Sequence, residues 1–312
     1  MVTGASGYLA SALIHQLGSM DCHIVGLSRK NQIAFPESLK ARISWIAGDI
    51  CERDVWEQHL EGAHLVFHFA GQTSAYAAEQ NPDFDYTINV LPMLHLGEVC
   101  RKKGYHPGVL FSGTVTQSGI PESFPVHENV MDLPMTYYDL HKSMAEQYLK
   151  FYTRLGVLSG VSLRLPNIYG PGPTEGNLDR GVLNKMVRRA LEGKPLILYT
   201  EGEEMRDYLY IEDAMSAFLL AGAIMEKVKG RHFILGSGQP HSIKDAFDLV
   251  SQRAALKTER RVPLERQTPP EPLLSIEKRN FVADFTQFSK ISGWRPRYSL
   301  TQGIDQTLES LL

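Results

Sequence analysis

The chain has 312 residues, 43% of them hydrophobic, with 32 Lys and Arg against 35 Asp and Glu for a formal net charge of −3. That length and apolar content exclude a disordered polymer and suit one large domain or a domain carrying a smaller lobe, while so small a net charge excludes a long-range pull toward nucleic acid or an anionic membrane. No apolar run reaches the roughly 18 residues that span a bilayer and no basic leader precedes a cleavage site, and Cys22, Cys51 and Cys100 are odd in number without CxxC spacing, so the chain reads as soluble and cytoplasmic, with small buried thiols in a reducing compartment.

In chain order, the opening stretch TGASGYLA sets Gly4 and Gly7 in a turn that brings backbone N–H groups close to a phosphate at a helix N-terminus. Ala10 stands where a third glycine would serve helix-to-strand packing. Only Met1 and Val2 stand ahead of the turn, so the first strand is expected to be abnormally short or to be completed upstream. Leu9, Leu13, Ile14 and Leu17 then share one helical face, Gly18 stops the helix, and HIVGLSR follows as a short apolar strand. RISWIAGDI, a helix near VWEQHLEG and HLVFHFAG repeat the alternation. A helix from about 83 to 103, GVLFSG, a helix from about 138 to 155 and VSLRLPN complete it.

Continuous apolar strands separated by helices predict an α/β fold, a doubly wound parallel sheet of the Rossmann kind, whose ligands lie beyond the carboxyl ends of the strands. Past Pro166 the rhythm breaks into segments rich in Gly and Pro. The expected organisation is a dinucleotide-binding domain over 1–165 with returning segments at about 211–255, and a smaller α+β substrate lobe from 166–210 and 256–312.

In TYYDLHKSMAEQYL, Tyr138 and Lys142 stand four apart in a helix and share a face, whereas Tyr137 points elsewhere. A phenol of ordinary pKa near 10 is a poor base at neutral pH, and an adjacent ammonium favours its phenolate, so Tyr138 could exchange a proton with an alcohol or carbonyl. LFSGTVTQSG sets hydroxyls at the end of the preceding strand, within reach of the same substrate oxygen.

TGASGYLA, GDI, FHFAG, INV, SGT, YDLHK, RLPNIYGPG and RDYLYIEDA occur in order along nearly the whole chain. In this the sequence resembles the extended short-chain dehydrogenase/reductase family, the nucleotide-sugar epimerases, dehydratases and ketoreductases typified by UDP-galactose 4-epimerase. The resemblance implies an NAD(P)-dependent enzyme acting on a nucleoside diphosphate sugar, with Tyr138 as acid/base, Lys142 on the nicotinamide ribose and Thr114 holding the sugar oxygen. Gly4, Ser6, Gly7, Tyr8 and Leu9 would contact the cofactor at the opening turn, Asp49 and Ile50 its adenine, and Ala70, Gly71 and Leu165 its phosphate and ribose side. Asn89 resembles the helix asparagine that supports the central strands beside the cofactor. Thr73, Asn167 and Arg206 are expected on the substrate side, Arg206 at its diphosphate, with a surface ion pair to Asp207 or Glu203 as the competing role. No metal ligand set is expected. A homodimer through the helices of 83–103 and 138–155 is implied by the resemblance alone.

Departures from the family pattern narrow the reaction. Dehydratases carry acidic residues directly after the catalytic Thr or Ser, and here Val115 and Thr116 follow Thr114, which disfavours dehydration. At the end of the second strand, where NAD-binding members set an acid on the ribose, this chain has Ser28, Arg29 and Lys30, which favours NADP(H), with NAD(H) the alternative. Near the C-terminus, Leu274 and Glu277 occupy the positions of an expected arginine and aspartate, leaving Lys278 or Arg279 to supply the positive charge. These points favour reduction of a nucleoside diphosphate 4-keto-6-deoxy sugar. The alternatives are a 4-epimerase with tightly held NAD, a reductase of a non-sugar carbonyl, and a cofactor-binding sensor without turnover.

Overall fold

The computed structural model describes residues 1–29, 40–172 and 181–312. Through the first half, strands β1 (Val2–Thr3), β2 (His23–Ser28), β3 (Arg42–Ala47), β4 (Leu65–His68), β5 (Gly108–Thr114) and β6 (Ser159–Leu165) alternate with helices α1 (Tyr8–Leu17), α2 (Arg53–His59), α3 (Ala75–Gln80), α4 (Pro82–Asn89), α5 (Leu91–Lys103) and α6 (Tyr137–Arg154). The second half adds β7 (Asn167–Tyr169), α7 (Val182–Leu191), β8 (Leu196–Leu198), β9 (Met205–Tyr210), α8 (Ile211–Ala223), α9 (Met225–Val228) and β10 (His232–Ile234). It closes with β11 (Pro240–Ser242), α10 (Ile243–Thr258), β12 (Leu264–Arg266), α11 (Thr286–Ser292) and α12 (Leu300–Glu309).

The main sheet runs β10-β6-β5-β4-β1-β2-β3, parallel throughout. Every residue of β5 is buried, as its unbroken apolar run requires of a central strand covered on both faces. One face is covered by α1 and α8, the other by α2, α5 and α6, and each holds its own apolar cluster. The two residues of β1 suffice as a strand because both neighbours bond to it: Val2 pairs with Gly26 and Phe67, Thr3 with Leu27 and His68.

The single helix expected over 83–103 is two helices meeting at Val90. Pro92 stands in the first turn of α5, where its missing N–H costs nothing, but its ring could not follow an uninterrupted helical turn. On α6 the buried stripe Lys142, Ala145, Glu146, Leu149 and Tyr152 faces the sheet and α5. Contact there is close enough that a Cβ on Gly97 would lie 2.1 Å from the Tyr152 ring.

The lobe consists of a three-stranded sheet, β11-β9-β7, and the pair β12-β8, backed by α7, α10 and α12. Of the return expected over 211–255, α8 and β10 join the main sheet, whereas α10 lies against α7 and α12, burying Ala246, Phe247, Val250 and Ala254. Among the described residues no helix is long and apolar enough to cross a membrane, and the three cysteines are unpaired.

Candidate active site

A cavity of about 870 Å³ opens above the carboxyl ends of β1, β2, β4, β5 and β6, with the lobe forming its far wall. At its floor Gly4 has φ +65°, and a Cβ there would lie 2.9 Å from Ala70 Cα, so the turn admits only glycine. The Gly7 N–H donates back to Gly4 O at 2.6 Å, and α1 starts with no side-chain cap and no acidic residue in its first turn. Its leading N–H groups and the positive end of its dipole are therefore open to an anion. Ser6, Gly7, Tyr8 and Leu9 line the cavity here. The Ala10 methyl is buried against the core, filling the space of the missing third glycine. The Tyr8 hydroxyl donates to Gly170 O (3.0 Å) and accepts from Asn184, tying the start of α1 to the lobe.

At the end of β2, Ser28 is buried and Arg29 is largely exposed; both reach the cavity. The Arg29 guanidinium lies 4.0 Å from the Asp49 carboxylate, which also accepts the Cys51 N–H at 2.9 Å. Lys30 lies outside the described residues. Ile50, Ala70, Gly71, Thr73, Leu165 and Asn167 line the cavity. Asn89 does not: it stands behind the wall, donating to Gln72 O and to the Asp85 carboxylate, with its Oδ1 only 2.6 Å from where a Cβ on Gly71 would fall. It shapes the Gly71–Gln72 turn from behind.

The reactive end combines β5 and α6. Thr114 ends β5 and caps the following turn through its hydroxyl. The Thr136 hydroxyl accepts the Asp139 N–H at 3.2 Å and so fixes where α6 begins. That start turns Tyr137 outward and Tyr138 and Lys142 into the cavity. The Lys142 ammonium sits 4.2 Å above the centre of the Phe111 ring, and burial pushes its pKa down to about 7 against the pull of the Asp85 and Glu146 carboxylates. The phenol of Tyr138 lies above its ordinary range. Burial is the main cause, the charges of Asp139 and Asp85 add to it, and a hydrogen bond with Thr114 opposes it. This is the opposite of the expected lowering by Lys142: burial, and after it the two nearby carboxylates, set the direction.

Two further charges shape the substrate side. Arg206 does not line the cavity, contrary to the sequence expectation, and among the described residues its ion pair is with Glu277, at 3.8 Å, rather than with Asp207 or Glu203. It is 3% exposed, its guanidinium donating to the carbonyls of Met205, Arg279 and Glu277, the last at 2.7 Å. Those bonds hold the segment carrying Arg279, which does line the cavity, with its Nε lacking a hydrogen-bond partner among the described residues. Burial, and secondarily Arg206, pushes Arg279 down to about 10, which leaves it cationic at neutral pH. Asp139 lines the cavity as well. Sequence reasoning passed over it, although its place next to Tyr138 and three before Lys142 on the buried face of α6 was a usable signal.

A family model described as the NAD dependent epimerase/dehydratase family matches residues 1–236. The chain is 26% identical to a UDP-glucose 4-epimerase of Mycolicibacterium smegmatis, over 99% of this chain and 97% of that protein. Among solved structures it is similar to the UDP-glucose 4-epimerase of Thermotoga maritima with UDP-glucose, at 27% identity and a TM-score of 0.85 over 99% of this chain and 97% of that one. It is also similar to the UDP-glucose 4-epimerase of Thermus thermophilus in complex with NAD, at 25% identity and a TM-score of 0.83 with the same coverage.

Proposed function

The chain belongs to the NAD-dependent epimerase/dehydratase family, and from that premise we propose that it moves hydride at a carbon of the sugar in a nucleoside diphosphate sugar, epimerising C4 of a UDP-hexose. The observation that carries this reading is the convergence of Thr114, Tyr138 and Lys142 with the uncapped start of α1 in one cavity. A nicotinamide dinucleotide bound there would supply the hydride acceptor and donor. The residues fit that group: the Gly4–Gly7 turn would meet a pyrophosphate, Asp49 and Ile50 an adenine, and Ala70, Gly71, Leu165 and Lys142 would border the ribose side. Tyr138 takes the proton of the C4 hydroxyl and later returns it, while Thr114 fixes that oxygen in place. Arg279 takes the substrate diphosphate, with Asn167 and Thr73 on the sugar side. Val115 and Thr116 after Thr114 supply no acid for dehydration.

Full-length similarity to UDP-glucose 4-epimerases supports epimerisation. So does the Asp49 carboxylate beside Arg29, which would repel the extra phosphate of NADP(H). A second reading, reduction of a 4-keto sugar with NADPH, is favoured by Ser28 and Arg29 at the end of β2 on the cavity edge, a hydroxyl and a cation in the place of a ribose-binding acid. Exposed Phe84, Tyr137, Leu140 and Phe151 on α4 and α6 support a homodimer through these helices.

Denaturing the purified protein and identifying the dinucleotide it releases tests the choice. Retained NAD is expected. No retained dinucleotide, together with NADPH binding tenfold or more tighter than NADH, a difference of about 1.4 kcal/mol, would replace epimerisation by reduction.

A further inference from the structure

Behind the part of the cavity wall formed by Gly71 and Thr73, a set of polar side chains is closed on itself. Asp85 on α4 is fully buried and His141 on α6 is 6% exposed, and neither lines the cavity. The His141 imidazole donates from Nδ1 to Asp85 Oδ2 at 2.7 Å, since an ionised carboxylate only accepts. The other oxygen, Oδ1, accepts from Gln72 Nε2 at 2.7 Å and from Asn89 Nδ2 at 3.0 Å. The rings of Tyr86 and Tyr137 stand beside the imidazole, with centroids 5.6 and 6.0 Å from its own, and hold its plane.

Asp85 thereby joins two walls of the cavity that come from distant parts of the chain. Gln72 stands between Gly71 and Thr73, which line one wall, and its amide also donates to Ser74 O and accepts the Ser74 N–H. His141 stands between Tyr138 and Lys142, which line the other. We propose that Asp85 and His141 are a positioning pair that fixes the distance between the Gly71–Thr73 wall and the Tyr138–Lys142 face of α6. The proposal rests on the dinucleotide site proposed above, in which Gly71 and Lys142 border one ribose from two sides. A buried ion pair adds little stability over apolar side chains of the same volume, but its bonds are directional and of fixed length. Here they set a spacing that matters to the chemistry. Tyr138 must reach the substrate oxygen while the carbon that gives up hydride stays in line, and an error of about 1 Å can cost roughly 100-fold in rate. Neither Asp85 nor His141 touches the reacting atoms, so both act through the walls they hold.

The test uses the full chain in equilibrium dialysis against NAD, with ADP as competitor, and leaves Asp85 in place because its charge also acts on Lys142. ADP would meet only the Gly4–Gly7 turn and the Asp49 and Ile50 end, so it does not span the two walls. In His141→Leu and in Gln72→Met the dissociation constant of NAD should rise about fivefold or more, the scale of a lost charged hydrogen bond, with that of ADP within about twofold of wild type. The double variant should be no weaker than the worse single variant, because both act through Asp85. With UDP-glucose as probe, kcat should fall by about tenfold or more at little change in KM. His141→Asn, whose amide can donate to Asp85 from nearly the same place, should stay within about threefold of wild type in both assays. The proposal is overturned by a smaller rise for NAD, by an equal rise for ADP, by losses that multiply in the double variant, or by a His141→Asn no better than His141→Leu. If His141→Leu does not fold, Gln72→Met decides by the same two constants, since Gln72 lies in a half-exposed turn. Wild type that binds no NAD, or turns over no UDP-glucose, would count against the function proposed above, a different result from failure of the spacing, which the two constants decide.

Discussion

The two halves of α6 treat buried charge in opposite ways. In the C-terminal half Glu146 is fully buried and every oxygen is spoken for: Arg164 donates to it at 2.7 and 3.0 Å, Ser162 at 2.7 Å and Lys150 at 2.6 Å, while Arg164 also forks onto Asp132. Burial alone would raise the Glu146 carboxyl; hydrogen bonds and charge from Arg164 outweigh it and hold that carboxyl well below the usual range. In the N-terminal half, among the described residues, Asp139 keeps an unpartnered oxygen, Arg279 beside it keeps an unpartnered Nε, and Lys142 rests on an aromatic face. Glu146, Asp139 and Lys142 are all buried, so burial does not separate scaffold from site. What separates them is whether the polar groups are satisfied within the protein or left to meet a ligand.

Substitutions in each half should therefore fail in different assays. Tyr138→Phe removes only the proton-transfer group and should cost about 10²- to 10⁴-fold in turnover with cofactor affinity and urea midpoint unchanged; a lowered urea midpoint would erase the contrast. Glu146→Ala strands the Arg164 charge in the interior and should cost about 3–5 kcal/mol of stability in urea unfolding. Because the folded Glu146 pKa is depressed, its contribution is present at neutral pH and is lost as pH falls below the unfolded glutamate value. The wild-type advantage over Glu146→Gln should shrink in that acid range, and an advantage constant with pH would contradict the ion-pair account. Arg279→Ala should raise the KM for a UDP-sugar by roughly 10- to 100-fold, the worth of a charged hydrogen bond, with little change in stability. Smallest of all, Arg29→Ala should shift NAD affinity by less than about threefold, since an exposed guanidinium near Asp49 contributes little; a loss confined to NADPH would strengthen the reductive reading.

Local patterns carried most of the fold. The apolar runs of β2 to β6 and the four-residue spacing of Tyr138 and Lys142 depend on neighbours a few residues away, and TGASGYLA marks its turn because the left-handed backbone at Gly4 excludes other residues. Val90, where two helices meet, was hidden because α4 and α5 read as one apolar pattern, although Pro92 was in plain view. That Lys278 or Arg279 could supply a positive charge was legible; that Arg279 is the one at the cavity and Arg206 the one behind it was not, since this depends on which guanidinium finds the carbonyls of a segment some seventy residues away. Asp139 was legible in position, next to Tyr138, and was missed because the local pattern does not show that its buried carboxyl borders the cavity.

The most direct measurement is to incubate the purified protein, with no added cofactor, with UDP-glucose and follow the C4 configuration of the sugar by proton NMR, beside Tyr138→Phe. Formation of UDP-galactose by wild type, absent from a Tyr138→Phe protein that still binds NAD, is the predicted result. Equal conversion by both proteins would contradict the central role given to Tyr138, and no conversion by wild type loaded with NAD would contradict epimerisation of this sugar.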